Sequence, residues 1–525
     1  RIAFLDKNSV ACVETTLAAS LTGAANACIN FWLSPAEVAY IINDAQAAIV
    51  ITGPEFVDTI AAIRDELTTV ERVIVSGGPD DEYERWLDCG SESFAAVPFD
   101  PDVAFLQLYT SGTTGHPKGA MLTAANLRAS IDATHARLGG PGNWLLALAP
   151  HHIAGLQVLL RALAAGVTPG VLDVSSGFDP DVFADALDAL DGPRRYTSLV
   201  PTQLIKVLDS PRATASLREA DALLVGGAAT PAPLLRRALD AGLPIVRTYG
   251  MSETGGGCVY DGIPLDGVTI TLIDPNPEGV GRVALSGPMV THGYRNLPDH
   301  PAFALTPDAR TFLTDDLGRV DDGVLSIIGR ADEAITTGGL TVVPQVVEAV
   351  ILDDESIAEC AVVGLPDDKL GEKVVAFVVT SGTAGFDAER VRGAVAERLD
   401  RYAAPREVIE IDALPLRGPG KVDRRALRQS LSGLLCDPTA QPALSPALHR
   451  ADASDRARIA VAPVPMGGGV EMTGPVVPPP PRATGTTPAR SKANAATASA
   501  TLVRLVLVVV VVVHQYPLQH LCLQL

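Results

Sequence analysis

Over its first 330 residues the chain switches repeatedly between helical spacing of apolar positions and short β-branched runs, which predicts layered α/β structure. Strands are expected at 47–52, 72–76, 144–149, 196–200, 222–225 and 245–249. Ser34-Pro35-Ala36-Glu37 marks a helix start, with Ser34 as N-cap, Pro35 at the first helical position and Glu37 completing a capping box. Further on, the pattern predicts a helix over 342–352, strands at 360–364 and 373–380, and an amphipathic helix over 387–399. The expected fold class is α/β, with a large multi-layer α/β domain over residues 1–329 and a smaller α+β domain over 330–428. A tail over 429–525, dominated by Ala, Pro, Gly, Ser and Thr, has too little apolar surface to fold alone and is expected to be disordered.

Composition narrows the classes. Forty-one basic against 61 acidic residues give a net charge of −20, which argues against a nucleic-acid partner. The seven cysteines are scattered, odd in number and without metal-ligand spacing, so they are read as reduced thiols of a cytoplasmic protein. Near the end, Leu505 to Val513 is uninterruptedly apolar but needs about twice that length to cross a bilayer, so no membrane anchor is expected. Its Val content makes it a β-aggregation hazard if exposed.

The densest chemistry lies in Tyr109-Thr-Ser-Gly-Thr-Thr-Gly-His-Pro-Lys-Gly119, directly after the apolar run Val103–Leu108. Gly112, Gly115 and Gly119 permit tight turns that expose backbone N–H groups, while Thr110, Ser111, Thr113, Thr114 and Lys118 supply donors and positive charge to phosphate oxygens. A nucleoside triphosphate is the expected ligand. The common P-loop is excluded, because it ends in Gly-Lys-Ser/Thr and this run ends in Pro117-Lys118-Gly119.

This segment resembles the signature of the adenylate-forming superfamily, which includes acyl-CoA synthetases, peptide-synthetase adenylation domains and luciferases. Tyr249-Gly-Met-Ser-Glu253, Thr314-Asp-Asp316, Gly329-Arg-Ala-Asp332 and Gly420-Lys421 match further family motifs in the expected order. The resemblance implies a ligase that activates a carboxylate with ATP and Mg²⁺ as an acyl-adenylate and transfers it to coenzyme A. It implies Glu253 as Mg²⁺ ligand, Lys118 and Ser252 on phosphate, and Tyr249 with Gly250 beside the adenine, opposite Gly227 and Ala228. Asp316 would accept from the ribose hydroxyls, with Arg330 beside it. Asp332 would be the hinge of a mobile C-terminal lid that carries Lys421 into the site, and Gly338-Gly339-Leu340 would line the coenzyme A approach. The family has Thr-Gly-Asp where this chain has Thr314-Asp315-Asp316, which puts the local backbone geometry in question. The family also has residues ahead of Arg1, so part of the large domain's N-terminal edge is expected to be missing; homodimers are a further expectation.

Acyl specificity is read from 149–157, 197–204 and 250–262, which resemble the 2-succinylbenzoate–CoA ligases of menaquinone biosynthesis, the actinobacterial ones in particular. Such a substrate carries two carboxylates and an aromatic ring. Its pocket needs a cation or several donors, for which Arg161, Thr197, Ser198 and Gln203 are candidates, with His152 in the wall. The alternatives are a medium- or long-chain fatty acyl-CoA synthetase, which residues 1–75 favour, and a nucleotide-binding protein without catalysis.

Overall fold

The computed structural model of the protein describes residues 1–436 except 8, 80, 90–99, 101, 111–115, 175–176, 306–309, 383–384 and 417–421. The first sheet takes β1 (Ile2–Leu5), β2 (Asn26–Ile29), β3 (Ile49–Thr52), β4 (Arg72–Val75), β5 (Ala104–Thr110) and β6 (Lys118–Thr123) in the order β4-β3-β1-β2-β5-β6. All neighbours are parallel except β5 and β6. That last pair is a hairpin whose connection carries the phosphate-loop sequence, and Thr110 and Lys118 face each other at its loop end. The Ser34 cap forms as the sequence implies: Ser34 Oγ accepts from Glu37 N, and Glu37 Oε2 accepts from Ser34 N at 3.0 Å.

A second sheet uses β7 (Asn143–Leu146), β8 (Gly170–Val171), β9 (Arg195–Leu199), β10 (Ala222–Val225), β11 (Ile245–Met251), β12 (Gly256–Tyr260) and β13 (Ile263–Pro264), in the order β13-β12-β11-β10-β9-β7-β8. Strands from β8 to β11 run parallel, and β12 and β13 return antiparallel. The near-continuous apolar runs of β3 and β10 are what a parallel strand covered on both faces requires. A bulge falls between Tyr249 and Gly250, where a Cβ on Gly250 would lie 2.2 Å from the Gly256 carbonyl oxygen. Only glycine permits that approach, which lets the Glu253 turn fold back on β11.

The helices Ala124–Arg137 and Ile153–Ala164 contribute to one core that also takes Phe4 and Leu106 from the first sheet and Trp144, Tyr196 and Tyr260 from the second. Helix Ile153–Ala164 is buried on nearly every side, as an apolar helix inside a layered core must be. Gln157 and Arg161 are its two polar exceptions among the buried positions.

Two further sheets follow. The antiparallel one comprises β14 (Thr269–Ile273), β15 (Gly281–Ser286), β16 (Phe303–Leu305), β17 (Arg310–Asp321) and β18 (Val324–Arg330). The last forms a separate β-rich domain from β19 (Ile335–Thr337), β20 (Leu340–Val342), β21 (Ile357–Asp367), β22 (Gly371–Thr380) and β23 (Glu407–Glu410). Its core of Ile335, Val347, Val362, Ala376, Val391 and Val395 is its own. Helix Pro344–Ile351 and helix Ala388–Arg398, capped by Asp387, cover that sheet close to their expected positions. Helical structure continues from Arg424 to Cys436; the rest of the tail, the Val-rich run included, lies outside the described residues. No helix of the described residues is long and apolar enough to cross a membrane.

Candidate active site

Glu253 lies in a single 3-10 turn, Ser252–Thr254, between β11 and β12, and is only 5% exposed. Its Oε1 accepts hydrogen bonds from Tyr294 OH at 2.8 Å and Thr110 Oγ1 at 3.2 Å. Among the described residues no Lys or Arg pairs with it, and the groups that donate to its carboxylate there are hydroxyls. Burial, and then the charge of Glu253, raise the pKa of Tyr294 and keep the phenol a donor. Tyr294 also places its ring 5.1 Å from Lys118 Nζ, which in turn lies 3.3 Å from His300 Nε2. The loop residues Ser111, Gly112, Thr113, Thr114 and Gly115, and Lys421, lie outside the described residues.

A second group gathers where β17 meets β18. Tyr249 OH donates to Asp316 Oδ2 at 2.6 Å, and Arg330 lies 3.5 Å from Asp316 Oδ1. Burial raises the Asp316 pKa, against the bond from Tyr249 and the charge of Arg330. Arg330 forks onto Asp332 with bonds of 2.8 and 2.9 Å. Asp315, in the place of the family's glycine, pairs with Arg282 at 2.6 Å, and its backbone does not enter the left-handed region. The strand therefore runs through Thr314-Asp315-Asp316 without strain. Gly227, with φ +81°, and Ala228 turn directly after β10, while Ser252 opens the Glu253 turn after β11. Gly338 and Gly339, both left-handed, make the β19–β20 turn, and Leu340 beside them is exposed.

Arg161 is 3% exposed, yet no carboxylate pairs with it among the described residues. Its guanidinium lies 5.2 Å from the Trp144 ring centre and donates one long bond, 3.4 Å, to Tyr260 OH, leaving Nε without a partner. Tyr260 OH is bonded to Thr134 Oγ1 as well. Burial lowers the Arg161 pKa, partly offset by Tyr260. One helical turn earlier, Gln157 Nε2 donates to the Gly255 carbonyl at 2.7 Å while its Oε1 has no partner. Ser130 Oγ and His135 Nε2, on helix Ala124–Arg137, are likewise buried and unsatisfied. So many orphaned polar atoms around one cation are costly in a protein core unless a ligand or water completes them.

The other candidates at this end are occupied differently. Thr197 Oγ1 donates to the Leu145 carbonyl at 3.0 Å, and Gln203 bridges Ala147 O and Val200 N. Ser198 is buried in β9. His152 occupies the N-cap position of helix Ile153–Ala164 without a side-chain capping bond, its ring 4.2 Å from that of His151, which packs edge-on to Phe31 at 5.5 Å. The sequence reading missed Tyr294, His300, Gln157, Tyr260 and His135. For Gln157 a signal existed: with Arg161 it makes an i,i+4 polar pair on an otherwise apolar helix.

Residues 1–295 match the AMP-binding enzyme family, and residues 346–421 match the AMP-binding enzyme C-terminal domain. The chain belongs to the AMP-binding enzyme family. A probable 2-succinylbenzoate–CoA ligase of Mycobacterium tuberculosis is 53% identical over 338 residues, covering 64% of this chain and 86% of the relative. A feruloyl-CoA synthase of an Amycolatopsis species is 32% identical, covering 82% and 88%. Among solved structures, the o-succinylbenzoate CoA synthetase of Bacillus subtilis in complex with its acyl-adenylate intermediate superposes with a TM-score of 0.68 at 26% identity, covering 82% and 87%. ATP-bound MatB from Rhodopseudomonas palustris gives 0.72 at 29%, covering 83% and 89%. The family and these relatives make the chain an AMP-forming acyl-CoA synthetase, with ATP and coenzyme A as co-substrates.

Proposed function

We propose that this member of the family converts 2-succinylbenzoate to its coenzyme A thioester, and that Arg161 receives the carboxylate that is not activated. The single observation that carries this reading is the burial of Arg161 without an acidic partner among the described residues. A second carboxylate would neutralise it in place, whereas a fatty acid or ferulate would leave the cation unpaired at a cost of several kcal/mol. The 53% identity to a probable 2-succinylbenzoate–CoA ligase supports the same substrate.

A carboxylate is a poor electrophile because its leaving group would be oxide. Attack of one carboxylate oxygen on the α-phosphorus of ATP joins it to AMP and expels pyrophosphate; a coenzyme A thiol then displaces AMP. The barrier is mainly the approach of two anions, which oriented donors and cations offset. Thr110 and Lys118 stand at the loop end of the β5–β6 hairpin, where they would meet the phosphates. Tyr249, Asp316 and Arg330 would hold the nucleoside, with Asp316 accepting from the ribose.

Glu253 fits a Mg²⁺ ion: it is a buried carboxylate that no Lys or Arg among the described residues pairs with, and no group of three metal-ligating side chains stands among those residues. One protein carboxylate plus phosphate oxygens is how Mg²⁺ is commonly held. The bound ion would offset phosphate charge. In this reading residues 330–428 form a lid that turns about Asp332, bringing first Lys421 and then Gly338-Gly339-Leu340 to the site. Thioester formation from 2-succinylbenzoate, ferulate and decanoate, each with ATP and coenzyme A, tests the substrate. The reading predicts preference for 2-succinylbenzoate, and a better rate with decanoate would favour the fatty acyl alternative.

A further inference from the structure

His300 has one ring nitrogen committed and the other pointed at a cation. The Ala302 backbone N–H donates to its Nδ1 at 3.2 Å, so in the neutral ring the proton sits on Nε2. Burial, and then the charge of Lys118, lower the His300 pKa, which favours that neutral form. The Nε2–H therefore faces Lys118 Nζ, 3.3 Å away. Both atoms are donors, and neither can accept from the other. The ring is fixed by more than this contact. It packs edge-on to Tyr294 at 4.8 Å, and its own backbone bonds to Leu297 and Phe303.

We propose that Lys118 and His300 together form a two-donor clamp for the pyrophosphate part of ATP, one oxygen accepting from both. This rests on the reading of Lys118 as a phosphate contact and goes beyond it in assigning His300. The order of contacts locates the clamp at the pyrophosphate end. From Asp316 and Tyr249, where the ribose is read, the chain leads to the Glu253 turn, through Tyr294 OH to the Tyr294 ring, and from there to Lys118 and His300. An anionic oxygen between two donors turns their mutual repulsion into two charge-assisted bonds.

The test is product inhibition of thioester formation by inorganic pyrophosphate and, separately, by AMP, in the wild type and in His300→Ala, His300→Phe and His300→Gln. Losing one charge-assisted donor should raise the pyrophosphate inhibition constant roughly tenfold or more in the Ala and Phe variants, leaving that of AMP about where it was. Phe keeps the ring packing without the donor, and Gln restores an N–H near the same place and should recover most of the loss. The clamp is overturned if pyrophosphate inhibition is unchanged in Ala and Phe, if AMP inhibition weakens as much, or if Gln behaves like Phe. A wild type insensitive to pyrophosphate would instead remove the reading of Lys118, a distinguishable result.

Discussion

Glu253 and Arg161 are both buried charges without an oppositely charged side chain among the described residues, yet they stand in different company. Two hydroxyls converge on a single oxygen of Glu253, whereas Arg161 has one long bond and the face of an indole. The first arrangement leaves a carboxylate able to take a hard cation that keeps phosphate oxygens as its other ligands. The second leaves a planar fork suited to a carboxylate. Arg330 is the contrast to both, since Asp332, Asp316 and Asp315 all lie within 4 Å of it. The protein itself answers the charge of Arg330, whereas those of Glu253 and Arg161 are buried and unanswered among the described residues, which points to a ligand for each.

The largest effect is expected at Glu253. Glu253→Gln keeps an acceptor for Thr110 and Tyr294 but removes the charge, and pyrophosphate release with acid and ATP should fall on the order of a thousandfold. Thioester formation from preformed adenylate should fall far less. If both half-reactions dropped together, Glu253 would be holding up the turn rather than serving the phosphates.

At Arg161 the expected loss is smaller and selective. Arg161→Met should lower kcat/KM for 2-succinylbenzoate by about a hundredfold, in line with removing a charged partner from a buried pair, and leave 3-benzoylpropanoate, which lacks the ring carboxylate, nearly unaffected. Equal losses on both acids would make Arg161 a packing residue.

Melting of the ligand-free proteins gives a smaller signal of opposite sign. Removing an unpaired buried charge is neutral or stabilising, so Arg161→Met should melt at or above the wild type. Arg330→Met leaves Asp316 and Asp332 without their cation and should cost about 1–2 kcal/mol after allowing for solvent. The reverse order would undo the comparison.

The smallest effect is on His135. Burial first, and the charge of Arg161 second, hold its pKa down to about 4 against an ordinary 6.5. The folded ring stays neutral where the unfolded one takes a proton, so its contribution to stability is present above about 6.5 and lost as pH falls toward about 4. In Arg161→Met an NMR titration should find the His135 pKa higher but still below the ordinary value, because burial remains. An unmoved titration would place Arg161's charge out of its reach.

The residues proposed for the nucleotide side stand out in the sequence because their types are contiguous: Thr110 and Lys118 flank one loop, and Tyr249 through Glu253 fill one strand end and its turn. The strands and the Ser34 cap were legible for a similar reason, being set by local pattern. Tyr294 and the Gln157–Gly255 bond were not, since tertiary packing joins residues 41 and 98 positions apart. The question raised by Asp315 in a glycine's place has a local answer: its neighbours Arg282 and Arg330 take the extra carboxylate, and an extended strand needs no glycine there. Thr197 and Gln203 carry the donors an acyl pocket needs, but sequence cannot tell a free donor from one already bound to the backbone.

The most direct test of the central claim compares the wild-type enzyme on two acids that differ only in the ring carboxylate. The account predicts kcat/KM for 2-succinylbenzoate about a hundredfold above that for 3-benzoylpropanoate, the worth of a buried charge finding its partner. A ratio near one, or one favouring the monoacid, would contradict it.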